Sequence, residues 1–196
     1  MRNIFRALRE KWATRTVEAR KKLWDREYAL GFGERLKLPE ELDHHQKLVE
    51  FLVDGEKNKR ILDVGCGEGL ILDFLQGYES YLGVDFSEVA LQAASKRADA
   101  KTVFVQAEAE SFVPAGEFDA IIFNECLYCF AEPLEVARHY GRFLRGDGVM
   151  VVSLFVKTER VKRLGEELSK RYEVVRKVVV KNERGSWECI LFKEKG

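Results

Sequence analysis

The sequence predicts an α/β fold: a doubly wound, mostly parallel sheet of seven strands with a C-terminal antiparallel hairpin and an N-terminal helical cap. Three observations predict it. From Arg60 onward, strand-like and helix-like segments alternate, which is typical of parallel strands joined by crossover helices. The first strand runs into three glycines within Gly65–Gly69, here called the glycine turn. The last two strand-like segments are separated only by "NERG", so they must pair as a hairpin.

Short runs rich in β-branched and aromatic residues predict the strands. In chain order they are Arg60–Val64, Tyr81–Asp85, Lys101–Gln106, Phe118–Asn124, Gly148–Phe155, Tyr172–Lys181 and Ser186–Lys193. Helical patterns lie in four of the five gaps before the hairpin: Gly69–Gln76, Ser87–Arg97, Pro133–Leu144 and Thr158–Lys170. Two of these helices begin with typical start residues, since Ser87 is a good N-cap and Pro133 is well placed in a first turn.

Residues 1–55 precede this pattern, and we expect them to form a helical cap or lid on a catalytic domain of residues 56–196. The apolar residues Ile4, Phe5, Leu8 and Trp12 lie at helical spacing. A glycine-punctuated loop is predicted at Ala29–Glu41, and a helix at Leu42–Val53.

Composition excludes several classes of protein. The net charge is zero, so no overall field attracts nucleic acid, although residues 1–26 hold nine basic against three acidic residues. Four irregularly spaced cysteines do not make a secreted disulfide framework. The longest apolar run, Val149–Val156, is far shorter than the ~20 residues of a membrane span. We therefore expect a cytoplasmic protein without a membrane partner.

The glycine turn indicates what kind of ligand lies at the end of the first strand. Its third glycine comes one place earlier than in a dinucleotide fingerprint, and no Gly-Lys-Ser/Thr follows as in a phosphate loop. Asp85, at the tip of the second strand, can accept the two hydroxyls of a ribose. Asp63 favours a cationic ligand such as an ammonium or sulfonium. These residues favour an adenosylated amino acid, with a nicotinamide-dependent oxidoreductase as an alternative.

Four motifs in order carry a family resemblance: "ILDVGCGEG", "GVDFS", "FVQAEAESF" and "FDAIIFNECLYCF". Together they resemble the motifs of class I S-adenosylmethionine-dependent methyltransferases over Arg60–Phe155. The resemblance implies a Rossmann-like fold, S-adenosylmethionine as cofactor and S-adenosylhomocysteine as product. The segment "NE-x-LY" is similar to small-molecule N-methyltransferases of the nodulation type.

The resemblance also implies a cofactor site. The methionyl end would lie on four residues of the first strand and the glycine turn: Asp63, Gly65, Cys66 and Gly67. Asp85 would bind the ribose and Phe86 would pack on the adenine. Glu108, beside the N–H of Ala109, would accept from the adenine amino group, with Glu110 as the alternative because "QAEAE" departs from the usual pattern.

The carbonyl of Asn124 would face the cofactor's ammonium, and the segment that follows it predicts the acceptor site. Strand ends face the ligand crevice in such sheets, so Glu125 and Tyr128 are candidate catalytic residues. Glu125 could orient or deprotonate an amine, or simply be an acid in a first helical turn. His45 is a candidate base or a packed rim residue. No second ligand pair accompanies Cys126 and Cys129, so no metal site is predicted.

The short chain leaves the cap and the "NECLYCF" segment to build the acceptor site, which favours a small-molecule acceptor with an N or O nucleophile. Tyr28 or Trp24 is expected to contact the bound cofactor or acceptor as part of a lid, with anchoring in the core as the alternative. An RNA- or protein-directed methyltransferase that uses the basic N-terminal helix is the alternative, although nucleic acid is not the expected acceptor. A monomer or homodimer is expected.

Overall fold

The computed structural model describes residues 16–53 and 59–195, and its centre is a seven-stranded sheet. The strands are β1 Arg60–Val64, β2 Ser80–Asp85, β3 Thr102–Gln106, β4 Phe118–Asn124, β5 Leu144–Phe155, β6 Glu173–Asn182 and β7 Gly185–Lys193. Their order across the sheet is β3-β2-β1-β4-β5-β7-β6. The predicted fold class is confirmed.

Strand direction separates the sheet into two parts. The first five strands pair in parallel, with Leu62 of β1 opposite Leu82 of β2 and Ile121 of β4. β7 enters antiparallel between β5 and β6, so the predicted C-terminal hairpin lies at one edge. Because the parallel strands all end on one side, their carboxyl ends form a shared rim.

Helices cover both faces of the sheet. They are α1 Val17–Ala29, α2 Phe32–Leu36, α3 Pro39–Val53, α4 Glu88–Ala94, α5 Pro133–Gly141 and α6 Glu159–Arg171. α3 buries Leu48 and Phe51 against the apolar residues of one face, such as Ile122. α5 and α6 bury Tyr140 and Leu168 on the opposite face. Two separate apolar clusters therefore hold the sheet between helical layers.

Two predicted segments differ from the structure in type, and β5 begins at Leu144 rather than at the predicted Gly148. The helix expected over Gly69–Gln76 is a single 3-10 turn at Leu70–Asp73, because the glycine turn takes up the first part of a short connection between β1 and β2. The loop expected over Ala29–Glu41 contains α2 and the start of α3, which Pro39 opens as a favourable first helical residue.

Some predictions fall on residues that the structure does not describe. The helical spacing of Ile4 to Trp12 lies outside the described residues, as does the expected domain boundary at 55/56. Within the described residues, no helix is long and apolar enough to cross a membrane.

Candidate functional site

A cavity of about 310 Å³ lies at the carboxyl ends of β1, β2 and β4, beneath α1, α2 and α3. Apart from Asp63, every site residue predicted above lines it. They are Tyr28, His45, Gly65, Cys66, Gly67, Asp85, Phe86, Glu108, Ala109, Asn124, Glu125 and Tyr128. The fold thus brings together residues from six separate segments, while their contacts with a cofactor stay a prediction.

Backbone hydrogen bonds shape the part of the cavity that the glycine turn forms. The N–H groups of Gly65 and Cys66 donate to the carbonyl of Val84 at 2.7 and 3.1 Å. Asp85 accepts from the N–H of Gly67 at Oδ2 and from that of Ser87 at Oδ1, both at 2.9 Å. Each carboxylate oxygen keeps a further lone pair, so the group can still accept two hydroxyls.

Asp63 lies beneath the glycine turn rather than on the cavity wall. Its side chain is buried, with Oδ2 accepting from the hydroxyl of Tyr81 at 2.5 Å. Oδ1 has no hydrogen-bond partner among the described residues. Burial raises the pKa of Asp63 to about 7, while the Tyr81 hydrogen bond opposes this rise. Such an orphaned buried oxygen is the kind of group that a cationic ligand nearby would stabilise.

Aromatic residues of α1 and α2 cover the glycine turn. Trp24, Tyr28 and Phe32 pack edge to face or tilted, with ring centroids 5.2 to 5.9 Å apart. Gly67 has a φ of 53°, and a Cβ there would lie 2.4 Å from the Tyr28 hydroxyl. Glycine is therefore required for both the backbone conformation and the close approach of this aromatic cover.

A salt bridge between Glu68 of the glycine turn and Lys37, the residue after α2, holds this helix against the turn. Glu68 is 9% exposed, and its Oε2 lies 2.9 Å from Nζ of Lys37. A Cβ on Gly33 would lie 1.7 Å from Oε1 of Glu68, so only glycine allows this contact. The negative charge of Glu68 at the mouth of the turn is thus paired with a lysine that follows α2.

Sequence reasoning missed the role of Arg20. Its guanidinium is 2.7 Å from Oε1 of Glu108 and 2.7 Å from Oε2 of Glu110, and the side chain is only 11% exposed. Asp25, one helical turn further along, accepts from the hydroxyl of Ser87 at 2.7 Å. Both predicted adenine-contact candidates therefore bind the same cap residue. Partners 88 positions apart in the chain leave no local signal.

A hydrogen-bond network lies at the ends of β4 and β5. Ser153 accepts from the N–H of Glu125 at 2.9 Å and donates to Oδ1 of Asn124 at 2.7 Å. Nδ2 of Asn124 lies 2.8 Å from Nδ1 of His45. The Tyr128 hydroxyl donates to Oε2 of Glu125 at 2.7 Å. The three candidate catalytic residues thus belong to one connected network.

This network fixes the tautomer of His45. Because Asn124 Oδ1 accepts from Ser153, its Nδ2 must be the donor to His45 Nδ1, and the ring proton then lies on Nε2. Burial lowers the pKa of His45 to about 4, so the ring is neutral near pH 7. Nε2 has no hydrogen-bond partner among the described residues. In this state the ring offers a donor to a ligand.

The C-terminal hairpin supplies cavity residues that the sequence did not predict. Arg184, in the turn between β6 and β7, pairs with Glu41 of α3 at 2.8 Å. Trp187 stacks between His44 and Phe155, with ring centroids 5.2 and 4.6 Å away. Of these, Arg184, Glu41, His44 and Phe155 line the cavity, so the turn of the hairpin forms part of its wall.

The Cys-x-x-Cys pair forms part of the wall. Cys126 donates from Sγ to the carbonyl of Val64, 2.8 Å away, and burial raises the pKa of its thiol well above the ordinary value. A protonated, hydrogen-bonded thiol is a packing residue rather than a nucleophile. Within residues 16–53 and 59–195, no group of three or more His, Cys, Asp or Glu side chains could hold a metal ion.

Comparison with known proteins gives a consistent family. The sequence model of the methyltransferase domain family matches residues 35–188. The ubiquinone biosynthesis O-methyltransferase of Actinobacillus pleuropneumoniae is 28% identical over 61% of this chain and 54% of its own length. The malonyl-[acyl-carrier protein] O-methyltransferase of Brevibacillus brevis is 28% identical over 58% of this chain and 44% of its own. The chain thus spans about half the length of these relatives.

Solved structures share the fold. The N-methyltransferase NodS of Bradyrhizobium japonicum, in complex with S-adenosyl-l-homocysteine, superposes with a TM-score of 0.77 at 18% identity, covering 90% of this chain and 98% of that one. The magnesium protoporphyrin IX methyltransferase of Synechocystis, with bound SAM, superposes with a TM-score of 0.68 at 16% identity, covering 89% and 97%. At these identities the likeness concerns the fold alone.

Proposed function

The chain belongs to the class I S-adenosylmethionine-dependent methyltransferase family, and we propose that it transfers a methyl group from S-adenosylmethionine to a small-molecule acceptor with an N or O nucleophile. The observation that carries the proposal is the cavity itself. A glycine turn and a ribose-binding carboxylate line one end, and a Glu125–Tyr128 pair and a neutral histidine line the other.

The residues at the first end fit the cofactor. Asp85 presents two carboxylate oxygens for the ribose hydroxyls, and Asn124 lines the cavity, where its carbonyl would face the ammonium. The buried carboxyl of Asp63 would stabilise positive charge just beyond the turn. When bound, S-adenosylmethionine supplies a methyl group on a cationic sulfur that an acceptor's lone pair displaces in line.

The residues at the second end of the cavity would orient and deprotonate the methyl acceptor. Glu125 accepts from Tyr128, and its carboxylate can take a proton from an acceptor N–H or O–H. Its φ of 58° is a left-handed conformation that is costly for a residue other than glycine. The N–H contact with Ser153 holds this conformation, so the carboxylate is placed by strained backbone beside the cavity.

The cap excludes water from the reacting groups. Trp24 and Tyr28 lie over the glycine turn, and Arg20 and Lys37 hold α1 and α2 down through ion pairs. A covered cavity strengthens the alignment of donor and acceptor on which such transfers depend. The cavity of about 310 Å³ has the size of a small-molecule site, and the helices that cover it support a small acceptor over RNA or protein.

Isothermal titration calorimetry with S-adenosylhomocysteine and NAD tests the cofactor. We expect binding of the first and none of the second, and the reverse would overturn the proposal. Acceptors are then sought with radiolabelled S-adenosylmethionine and pools of small amines, phenols and carboxylic acids, with total RNA and ribosomal protein as competing substrates. Labelling of RNA or protein alone would favour the alternative.

On the acceptor found, Glu125→Gln should lower kcat by about 100-fold with cofactor affinity unchanged, because the proton acceptor is lost while the cofactor end stays intact. Glu132→Gln, an exposed residue next to α5, is the matched control. An unaltered kcat would leave Glu125 with a structural role only.

A further inference from the structure

We propose that Ser153 is a positioning residue that sets both the tautomer of His45 and the backbone conformation of Glu125. The inference rests on the proposed function, since it concerns the acceptor end of the same cavity. Ser153 does not line that cavity; it lies directly behind its wall, fully buried on β5.

The position of Ser153 in the sheet explains why its side chain can contact residues at the end of β4. It is the register partner of Asn124 on the parallel strand β4 and of Cys189 on the antiparallel strand β7. The neighbouring residues of β5, Val151, Val152 and Leu154, are apolar and fully buried. A hydroxyl in such a strand costs free energy unless it is fully hydrogen-bonded, so its presence calls for a purpose.

Ser153 satisfies this requirement by joining two functional residues. Its oxygen accepts the N–H of Glu125 at 2.9 Å, and its proton goes to Oδ1 of Asn124 at 2.7 Å. A hydroxyl has a single proton, so its donation to Asn124 determines the direction of the remaining hydrogen bonds in the network. A second contact, 3.4 Å to Oε1 of Glu125, is longer and weaker.

The first consequence is the orientation of the Asn124 amide. With Oδ1 turned to Ser153, Nδ2 donates to His45, whose ring must then carry its proton on Nε2. The opposite amide orientation would place Oδ1 against the histidine and require a proton on Nδ1. Ser153 therefore decides which of two neutral forms of His45 the cavity presents, a donor or an acceptor at Nε2.

The second consequence concerns Glu125. Among the described residues, it is the non-glycine residue with a positive φ, 58°, and its N–H has Ser153 as partner. Without this hydrogen bond a partly buried N–H would lose its acceptor and the strained conformation would lose its restraint. Ser153 thus links His45, the hydrogen-bond donor, to Glu125, the proton acceptor. These are the two groups that would contact the methyl-acceptor molecule.

The test compares Ser153→Ala with Ser153→Thr, which keeps the hydroxyl, and with Ser169→Ala, which removes a hydroxyl bonded within α6. Ring ¹⁵N shifts of His45, assigned with a His45→Gln variant, report the tautomer without any substrate. We expect one Nε2–H form in the wild type, the Thr variant and the Ser169 control. In Ser153→Ala we expect a mixed population with at least a fifth of the ring protonated on Nδ1.

Function supplies the second measurement. On the acceptor found by the labelling screen, Ser153→Ala should lower kcat at least tenfold and flatten its pH profile, with unchanged affinity for S-adenosylhomocysteine, and Ser153→Thr should restore most of the rate. An unchanged His45 tautomer in a folded Ser153→Ala protein would overturn the inference. So would an unchanged kcat. Failure to bind S-adenosylhomocysteine in the wild type would instead overturn the proposed function, so the two failures are distinguishable.

Discussion

Asp63 offers a quantitative prediction because its carboxyl is buried without a cation partner among the described residues. Burial raises its pKa from 3.8 to about 7. Well below pH 4 the group is protonated in both the folded and the unfolded chain and has no effect. Between pH 4 and pH 7 the unfolded chain ionises while the folded chain stays protonated, so the free energy of unfolding falls as the pH rises. Above pH 7 the loss is complete and constant.

The magnitude follows from the same pKa values. Each unit of pKa corresponds to about 1.4 kcal/mol, so the ionisable carboxyl costs the folded protein about 4 kcal/mol at pH 8. Asp63→Asn removes the titration, and its amide oxygen can still accept from Tyr81. We expect the variant to match the wild type near pH 4 and to exceed it in unfolding free energy by up to about 4 kcal/mol at pH 8.

Urea unfolding followed by circular dichroism between pH 4.5 and 8.5, without cofactor, measures this difference. Asp147→Asn, an exposed position on β5, controls for the loss of one charge. A difference between Asp63→Asn and the wild type that stayed constant with pH would refute the reasoning. The same variant should bind S-adenosylhomocysteine more weakly at pH 8. Functional sites commonly contain a group that lowers the stability of the fold but is needed to bind a ligand.

Two further predictions concern the cofactor end of the cavity. Asp85→Ala should weaken S-adenosylhomocysteine binding by about 1–3 kcal/mol in calorimetry because two ribose hydroxyls lose a charged acceptor, while Asp99→Ala, an exposed control, should not. Arg20→Gln should speed chymotrypsin cleavage after Trp24 and Tyr28 and reduce the protection that S-adenosylhomocysteine gives, because α1 loses both ion pairs. Lys22→Gln, on the exposed side of the same helix, should digest like the wild type, and equal rates for both variants would contradict a docked lid.

The sequence was sufficient to predict the sheet and the proximity of the glycine turn to Asp85, because both depend on local patterns. Alternating strands and helices predict parallel pairing, and the short "NERG" gap predicts the hairpin. The glycine turn and Asp85 lie at the ends of adjacent strands, so their proximity follows from the topology alone. The helix predicted after the glycine turn was wrong because that turn takes up the first part of a short connection and leaves room for a single 3-10 turn.

Contacts between distant segments could not be predicted in this way. Arg20 meets Glu108 and Glu110 only after α1 has folded over the sheet, and neither partner's neighbourhood in the chain marks the other. Arg184 reaches Glu41 through the turn of the hairpin, 143 positions away by residue number. Ser153 is different: a single polar residue in the apolar run "VMVVSLFV" was visible in the sequence and could have been singled out.

The contacts that the sequence could predict and those that it could not differ for a chemical reason. The cofactor end is built mainly from backbone N–H groups and short carboxylates at strand tips, which a local motif determines. The acceptor end is built from side chains of α3, β4, β5 and the hairpin, whose identities are set by packing rather than by spacing. One fold can therefore keep its methyl donor while its acceptor changes with a few residues. Substitutions at His45, Ser153 and Phe155 should accordingly alter acceptor preference before they alter the binding of S-adenosylhomocysteine.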